Sequence, residues 1–152
     1  MPQITTKRRV PHSAVDMFDL VADVEQYPRF VPFCRDLRVL KRDPGGGDGT
    51  EVLVVNMTVA YKLIKETFTS RVTLDPAQLR IHVKYLNGPF TRMENRWAFH
   101  PIDDTSCEVE FFLAYEFKSR ALALVMGSMF DAVFRRFASA FEQRADVVYG
   151  PA

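Results

Sequence analysis

Side chains that could act as nucleophiles, bases or metal ligands are few in this sequence, and they are scattered. His12, His82 and His100 are isolated, and none has a partner at the spacing of a helical metal site. Neither Cys34 nor Cys107 lies in a nucleophile motif, and no Gly-x-Ser-x-Gly sequence occurs. The residue types therefore predict no catalytic residue, no metal site and no required cofactor, and they favour a protein that is not an enzyme.

Composition narrows the remaining functions. The chain has 152 residues, 47% of them hydrophobic and 26% charged, which predicts a single globular domain over residues 1–152. Lys and Arg number 20 against 19 Asp and Glu, and this balance argues against a protein whose main partner is a long nucleic acid. Local basic runs remain at Lys7–Arg9 and among Arg35, Arg38, Lys41 and Arg42.

The sequence also predicts where the protein works. No apolar run approaches the roughly 18–20 residues that span a bilayer, and the N-terminus lacks the apolar segment of a signal peptide. Two cysteines are too few for a disulfide framework, as expected for a reducing compartment. We expect a cytoplasmic protein. Its 13 phenylalanines indicate that aromatic rings pack in the core of the protein or line a space inside it.

Hydrophobic spacing predicts the elements that position these rings. Ser13 and Asp16 form a helix-start signal, and Pro28 and Pro32 divide the following segment into two short helices. Long alternating segments then give way to a helical pattern over Ser119–Tyr149. The predicted strands are Gln3–Val10, Arg35–Arg42, Glu51–Tyr61, Lys62–Leu74, Leu79–Leu86, Thr91–Phe99 and Cys107–Phe117.

This order of elements predicts an α+β fold. About seven strands form a curved antiparallel sheet, and the long C-terminal helix packs across it beside the two short N-terminal helices. A crevice between sheet and helix is the expected place for a ligand.

The large apolar faces of three strands and the helix point towards that crevice. Asn95 shares a strand face with Met93 and Trp97, so its amide is expected to be buried, either bonded within the protein or in contact with a ligand. The predicted ligand-binding residues are Phe68, Val72, Ile81, Val83, Tyr85, Met93, Asn95, Trp97, Phe111, Leu113, Tyr115, Met126, Phe130 and Phe137.

The start of the long helix is apolar on nearly every face from Ala121 to Phe130. Such a segment is either buried beneath the short helices or exposed to another apolar phase. In the second interpretation it is the entrance for the ligand and touches a membrane, with Lys118 and Arg120 beside anionic head groups. The predicted entrance residues are Leu122, Leu124, Val125 and Met129.

Several segments together resemble the coenzyme Q-binding START-domain family, part of a superfamily that includes polyketide cyclases and START lipid-transfer domains. The similarity covers nearly the whole chain. The segments that carry it are Pro11–Cys34, Phe68-Thr-Ser-Arg-Val72, Leu86-Asn-Gly-Pro-Phe90, Asn95-Arg-Trp-Ala-Phe99, Glu116-Phe-Lys-Ser119 and Phe134–Ala145.

The resemblance implies the helix-grip fold and non-enzymatic binding of ubiquinone, in support of respiratory electron transport and quinone biosynthesis. It further implies peripheral contact with the cytoplasmic face of the inner membrane. Two alternatives stay open. A bacterial member of the family is described as a toxin that blocks ribosomal subunit association, in which case the basic runs would contact RNA. A polyketide cyclase or dehydratase is the other alternative, and it would need a titratable pair facing the cavity.

Overall fold

A computed structural model describes residues 3–44, 49–61 and 63–150, apart from the side chains of residues 128–135, 137 and 138. The described strands are β1 (Gln3–Val10), β2 (Cys34–Pro44), β3 (Glu51–Tyr61), β4 (Ile64–Asp75), β5 (Arg80–Asn87), β6 (Phe90–Asp103) and β7 (Ser106–Phe117). The helices are α1 (Ala14–Ala22), a 3₁₀ helix (Val24–Arg29) and α2 (Arg120–Tyr149).

The strands form one antiparallel sheet in the order β1-β7-β6-β5-β4-β3-β2. Six strands follow one another as a meander, and β1 closes the row by pairing with the last strand, β7. Apolar residues alternate with polar ones, so one face of the sheet is buried against the helices. The predicted helix-grip architecture is confirmed.

The two short helices are fixed by local hydrogen bonds. The Ser13 hydroxyl accepts the Asp16 backbone N–H at 3.1 Å, as the start signal predicts, and α1 begins at the next residue, Ala14. Pro28 lies within the 3₁₀ helix. Beside it, the buried Tyr27 hydroxyl donates to the Val21 carbonyl oxygen at 2.6 Å, which ties the second helix to the first.

The long helix α2 contacts the rest of the protein near both ends. Towards its C-terminus, the ring of Phe141 packs edge-on against Tyr27 at 5.4 Å and meets Trp97 at 5.2 Å. Towards its N-terminus, Met126 is buried in a separate apolar cluster. The inner face of the sheet between these two contacts is where a ligand can be enclosed.

Polar contacts hold the C-terminal end of α2 in place. Buried His12 bonds through Nε2 to the Asp146 carboxylate at 2.7 Å, and the Tyr149 hydroxyl donates to the Asp16 carbonyl oxygen at 3.0 Å. The N-terminal end begins with a serine cap, in which Ser119 accepts the backbone N–H of the third helical residue at 2.9 Å. The two ends are thus secured by different means.

Candidate ligand-binding cavity

An apolar cavity of about 150 Å³ lies on the inner face of the sheet. A cavity of roughly this size in another protein holds one benzene molecule, so the space here suits a single ring. The described lining residues are Val24, Tyr27, Val31, Pro32, Phe33, Cys34, Leu37, Val55, Met57, Val59, Phe68, Ser70, Val72, Ile81, Val83, Phe90, Met93, Asn95, Trp97, Phe111 and Leu113.

The structure brings many of the predicted ligand-binding residues together in this wall. They come from four neighbouring strands, β4 to β7, and all lie on the inner face. These residues are Phe68, Val72, Ile81, Val83, Met93, Asn95, Trp97, Phe111 and Leu113.

The structure places the other predicted residues elsewhere. Tyr85 and Tyr115 also face inwards, but they pack on the ring of Phe90 at 5.5 and 6.2 Å rather than among the described lining residues. The prediction for these two tyrosines rested on strand alternation, which shows the face of the sheet on which a residue lies but not how far along the strand it is from the cavity. Met126 belongs to the separate cluster, and the side chains of Phe130 and Phe137 lie outside the described part of the chain.

Sequence reasoning missed the wall formed by the 3₁₀ helix, the segment after it and strands β2 and β3. The alternation of β3 could have revealed its share, because Val55, Met57 and Val59 are two residues apart. The remaining missed residues are Val24, Tyr27, Val31, Pro32, Phe33, Cys34, Leu37, Ser70 and Phe90.

The amide of Asn95 is bonded within the protein. Its Nδ2 donates to the Phe112 carbonyl oxygen at 2.9 Å, and its Oδ1 accepts the Trp97 indole N–H at 3.0 Å. Of the two roles considered for Asn95, the structure thus displays the internal one. The amide fixes the orientation of the Trp97 ring in the wall.

Titratable groups in the wall are held neutral. Among the described lining residues, only Tyr27 and Cys34 have titratable side chains. Burial, with a smaller contribution from nearby negative charge, raises the pKa of Tyr27 well above its usual range. Burial and the carboxylate of Asp36 raise the pKa of Cys34 from 9.0 to about 11. Neither group is ionised at neutral pH, so neither supplies a base or a nucleophile there.

Ser70 is the one described lining residue whose side-chain hydrogen bonding is unmet. It lies in β4 between Phe68 and Val72 on the inner face, and only 2% of its surface is exposed. Its hydroxyl has no hydrogen-bond partner within the described residues. A buried hydroxyl without a partner is costly, because it has lost its bonds to water.

One end of the cavity adjoins the cluster around Met126. Phe33 and Val59 belong both to the cavity wall and to this cluster, and the Phe33 ring meets Tyr61 edge-on at 5.2 Å. Phe33 has a positive φ of 64°, a left-handed conformation that is uncommon for a residue with a large side chain. The strained backbone directs the aromatic ring into the boundary between cavity and cluster.

Outside this boundary, large apolar side chains are exposed to solvent. Leu124 on α2 is 81% exposed, Val125 is 41% exposed, and Leu63, in the turn between β3 and β4, is fully exposed. We call these three residues the lip. The two leucines flank the Met126 cluster, to which Ile64 and Leu122 contribute. The helix start was expected to be either buried or exposed, and the structure shows both: Leu124 and Val125 are exposed, whereas Met126 is buried. The side chain of Met129 lies outside the described residues.

Comparison with known proteins decides the family. A family model described as "Polyketide cyclase / dehydrase and lipid transport" matches residues 10–142. The chain belongs to this family. It is 35% identical over 149 residues to the ribosome association toxin RatA of Escherichia coli K12, covering 98% of this chain and 90% of that protein.

A second relative and two solved structures agree with this placement. The mitochondrial coenzyme Q-binding protein COQ10 of Drosophila melanogaster is 31% identical over 97% of this chain and 60% of its own length. The 18 kDa protein CC1736 from Caulobacter crescentus is 30% identical, with a TM-score of 0.80 over 99% of this chain and 100% of its own. A START superfamily protein from Mycobacterium smegmatis, 22% identical with a TM-score of 0.78 over 96% and 98%, shares the fold. The resemblance to START-like proteins is confirmed.

Two other features, a membrane-spanning helix and a metal site, are absent from the described residues. No described helix is both long and apolar enough to cross a membrane. Within the same residues, no three His, Cys, Asp or Glu side chains come close enough to hold a metal ion.

Proposed function

We propose that this protein binds ubiquinone or a similar polyprenyl quinone reversibly and carries it without chemical change, in support of respiratory electron transport and quinone biosynthesis. The observation that carries the proposal is the apolar cavity on the inner face of the sheet, whose described titratable groups, Tyr27 and Cys34, are held neutral. A relative named for coenzyme Q binding supports the choice of ligand. A cyclase, in contrast, would need an acid or base in the wall.

The size of the cavity indicates where the ring and the tail of such a ligand would lie. A volume of about 150 Å³ accepts a quinone ring but not a polyprenyl tail as well. In our proposal the ring occupies the cavity, and the tail passes the Met126 cluster to reach the lip. Phe33 lies at the boundary between the cavity and this cluster, so its ring must move when a tail passes.

The first test is direct. Protein purified from its native host is extracted with organic solvent, and the extract is analysed by mass spectrometry beside an extract of an unrelated protein prepared in the same way. We expect a quinone in the first extract only. Its absence, together with the presence of another lipid at stoichiometric level, would contradict the choice of ligand.

A binding titration uses the only tryptophan of the chain as the reporter. Trp97 lines the cavity, so a bound quinone ring should quench its fluorescence. Decylubiquinone is titrated into the protein and, as the control, into free N-acetyltryptophanamide. Saturable quenching of the protein, against linear quenching of the control, is the expected result. Linear quenching of both would mean that no ring enters the cavity.

We further propose that the lip docks on the surface of the inner membrane at its cytoplasmic face, where the quinone is exchanged. Exposed apolar residues next to cations suit the interface of an anionic bilayer, and exposed Lys118 and Arg120 adjoin the start of α2. A ligand too insoluble to travel freely in water needs such an entrance. The Leu124 variant described in the Discussion tests this step.

Ribosome association is the second candidate function, because the Escherichia coli relative is named for it. The structure gives its predicted surface limited support, since several of the basic residues are neutralised. The ion pairs concerned are Arg8–Glu142, Arg38–Asp36 and Arg42–Glu51. Sedimentation of ribosomes with and without the purified protein tests this function: loss of joined subunits in its presence would favour it, and unchanged profiles would contradict it.

A further inference from the structure

Ser70 occupies a position where its hydroxyl has no evident structural use. Its neighbours in the sheet register are Val55 on β3 and Tyr85 on β5, and the nearest residues on the same face of its own strand, Phe68 and Val72, are apolar. An alanine or valine would suit such a position at lower cost, because it brings no polar atom into an apolar wall. The hydroxyl therefore calls for a partner that enters the cavity.

The other polar side chains of the described wall already have partners. Asn95 bonds to Phe112 and Trp97, and the Tyr27 hydroxyl donates to the Val21 carbonyl oxygen. The Cys34 thiol donates to the Asp36 carbonyl oxygen at 3.8 Å, a sulfur contact. Within the described residues, Ser70 is thus the polar side chain of the wall that has no hydrogen-bond partner in the protein.

We propose that the Ser70 hydroxyl donates a hydrogen bond to an oxygen of the ligand, and that the cavity therefore selects a single ring bearing a carbonyl or ether oxygen over a plain hydrocarbon of the same size. This inference rests on the proposed binding of a quinone-like ligand. It adds which residue recognises the ring and which chemical group on the ring is recognised.

The test compares two ligands and one substitution. Decylubiquinone carries ring oxygens, whereas decylbenzene has a similar tail and none; the second is measured by its competition with the first for Trp97 quenching. With Ser70→Ala, the affinity for decylubiquinone should fall about fivefold, which corresponds to roughly 1 kcal/mol, the usual contribution of one neutral hydrogen bond. The affinity for decylbenzene should stay the same.

Stability provides the readout that separates ligand recognition from a structural role. Since Ser70→Ala removes an unpartnered buried hydroxyl, the melting temperature of the ligand-free protein should stay equal or rise. Thr73→Val, on the same strand but the opposite face, is the matched control and should alter the affinity for neither ligand. A lower melting temperature of Ser70→Ala would assign the hydroxyl to the fold and overturn the inference.

The remaining outcomes are also distinct. If the natural sequence binds decylubiquinone and Ser70→Ala binds it equally well, the inference is wrong while the proposed function stands. If Ser70→Ala weakens both ligands alike, the residue shapes the cavity and recognises no oxygen, which again overturns the inference. If the natural sequence fails to bind decylubiquinone at all, the proposed function fails and the inference fails with it.

Discussion

Leu124→Asp is the most informative substitution for the proposed membrane contact. The side chain is 81% exposed, so in the free protein the change removes little packing and should alter the free energy of unfolding by no more than about 0.5 kcal/mol. At a bilayer surface the same leucine can be buried, which contributes about 1.5–3 kcal/mol. Loss of that contribution corresponds to partitioning about 10- to 100-fold weaker, before any cost of placing a carboxylate in the interface is added.

The assay is co-sedimentation with vesicles that contain anionic phospholipid, followed by transfer of quinone from donor to acceptor vesicles. Val147→Asp is the matched control, because Val147 is on the same helix, 74% exposed, but near the end held by His12 and Asp146. We expect Leu124→Asp to lose vesicle binding and transfer, and Val147→Asp to retain both. Leu63→Asp should behave like Leu124→Asp, since Leu63 is the other leucine of the lip and is fully exposed.

Two results would refute this reasoning. If both aspartate variants on α2 bind vesicles as the natural sequence does, the lip makes no membrane contact. If Leu124→Asp unfolds the protein, the helix start is part of the core and the entrance must lie elsewhere. Thermal denaturation of both variants, measured before the vesicle assays, separates the second result from a true loss of membrane binding.

Three further predictions follow from the cavity, the glycines and the thiols. Val72→Phe should fill the cavity and weaken decylubiquinone binding at least tenfold, whereas Val54→Phe on the outer face of β3 should not; Trp97 quenching measures both. Gly127→Ala should raise the free energy of unfolding in urea by about 1 kcal/mol, because, apart from the adjoining residues and backbone of its own helix, no described atom lies within 4 Å of an added Cβ. Gly88→Ala should lower the free energy of unfolding, because its φ is +147° and its Cβ would lie 2.5 Å from the Phe68 Cβ. Burial raises the pKa of both cysteines from 9.0 to about 11, so between these pH values the unfolded chain loses thiol protons that the folded protein keeps. The free energy of unfolding should therefore fall as pH rises from about 9, by up to about 1.4 kcal/mol per unit for each thiol, and a pH-independent value over this range would contradict the burial.

The fold was largely predictable because its strongest signals are local. The period of two in β6 placed Met93 and Trp97 on the inner face, and the serine before α1 marked its start, both as observed. The end of β6 was predicted at Phe99, but the strand continues to Asp103. Within this extension, Pro101 lies at a bulge in the pairing with β7, where a residue without an N–H is tolerated.

The site was less predictable, because it depends on features that the spacing of hydrophobic residues in the sequence does not show. Strand alternation does not show which inward-facing residues border the cavity: Phe68 and Tyr85 both pack on the ring of Phe90, yet only Phe68 is among the described lining residues. Phe33 turns its ring towards the cavity through a left-handed backbone conformation that sequence patterns associate with glycine or asparagine. The unpartnered hydroxyl of Ser70 appears only when all its neighbours are known.

The energies involved explain why such a protein would exchange its ligand rather than store it. Each buried CH₂ of a prenyl tail contributes about 0.8 kcal/mol, whereas one hydrogen bond to the ring contributes about 1 kcal/mol. The tail thus dominates the total affinity, whereas the polar contact orients the ring and favours a ring that carries an oxygen. A cavity of about 150 Å³ covers the ring, so most of the tail must find its apolar surroundings at the lip or in the bilayer. Because a bilayer surrounds the tail at least as completely as the lip does, a protein that binds a quinone in the proposed way would not outcompete the membrane for it, and return of the ligand would need no energy source.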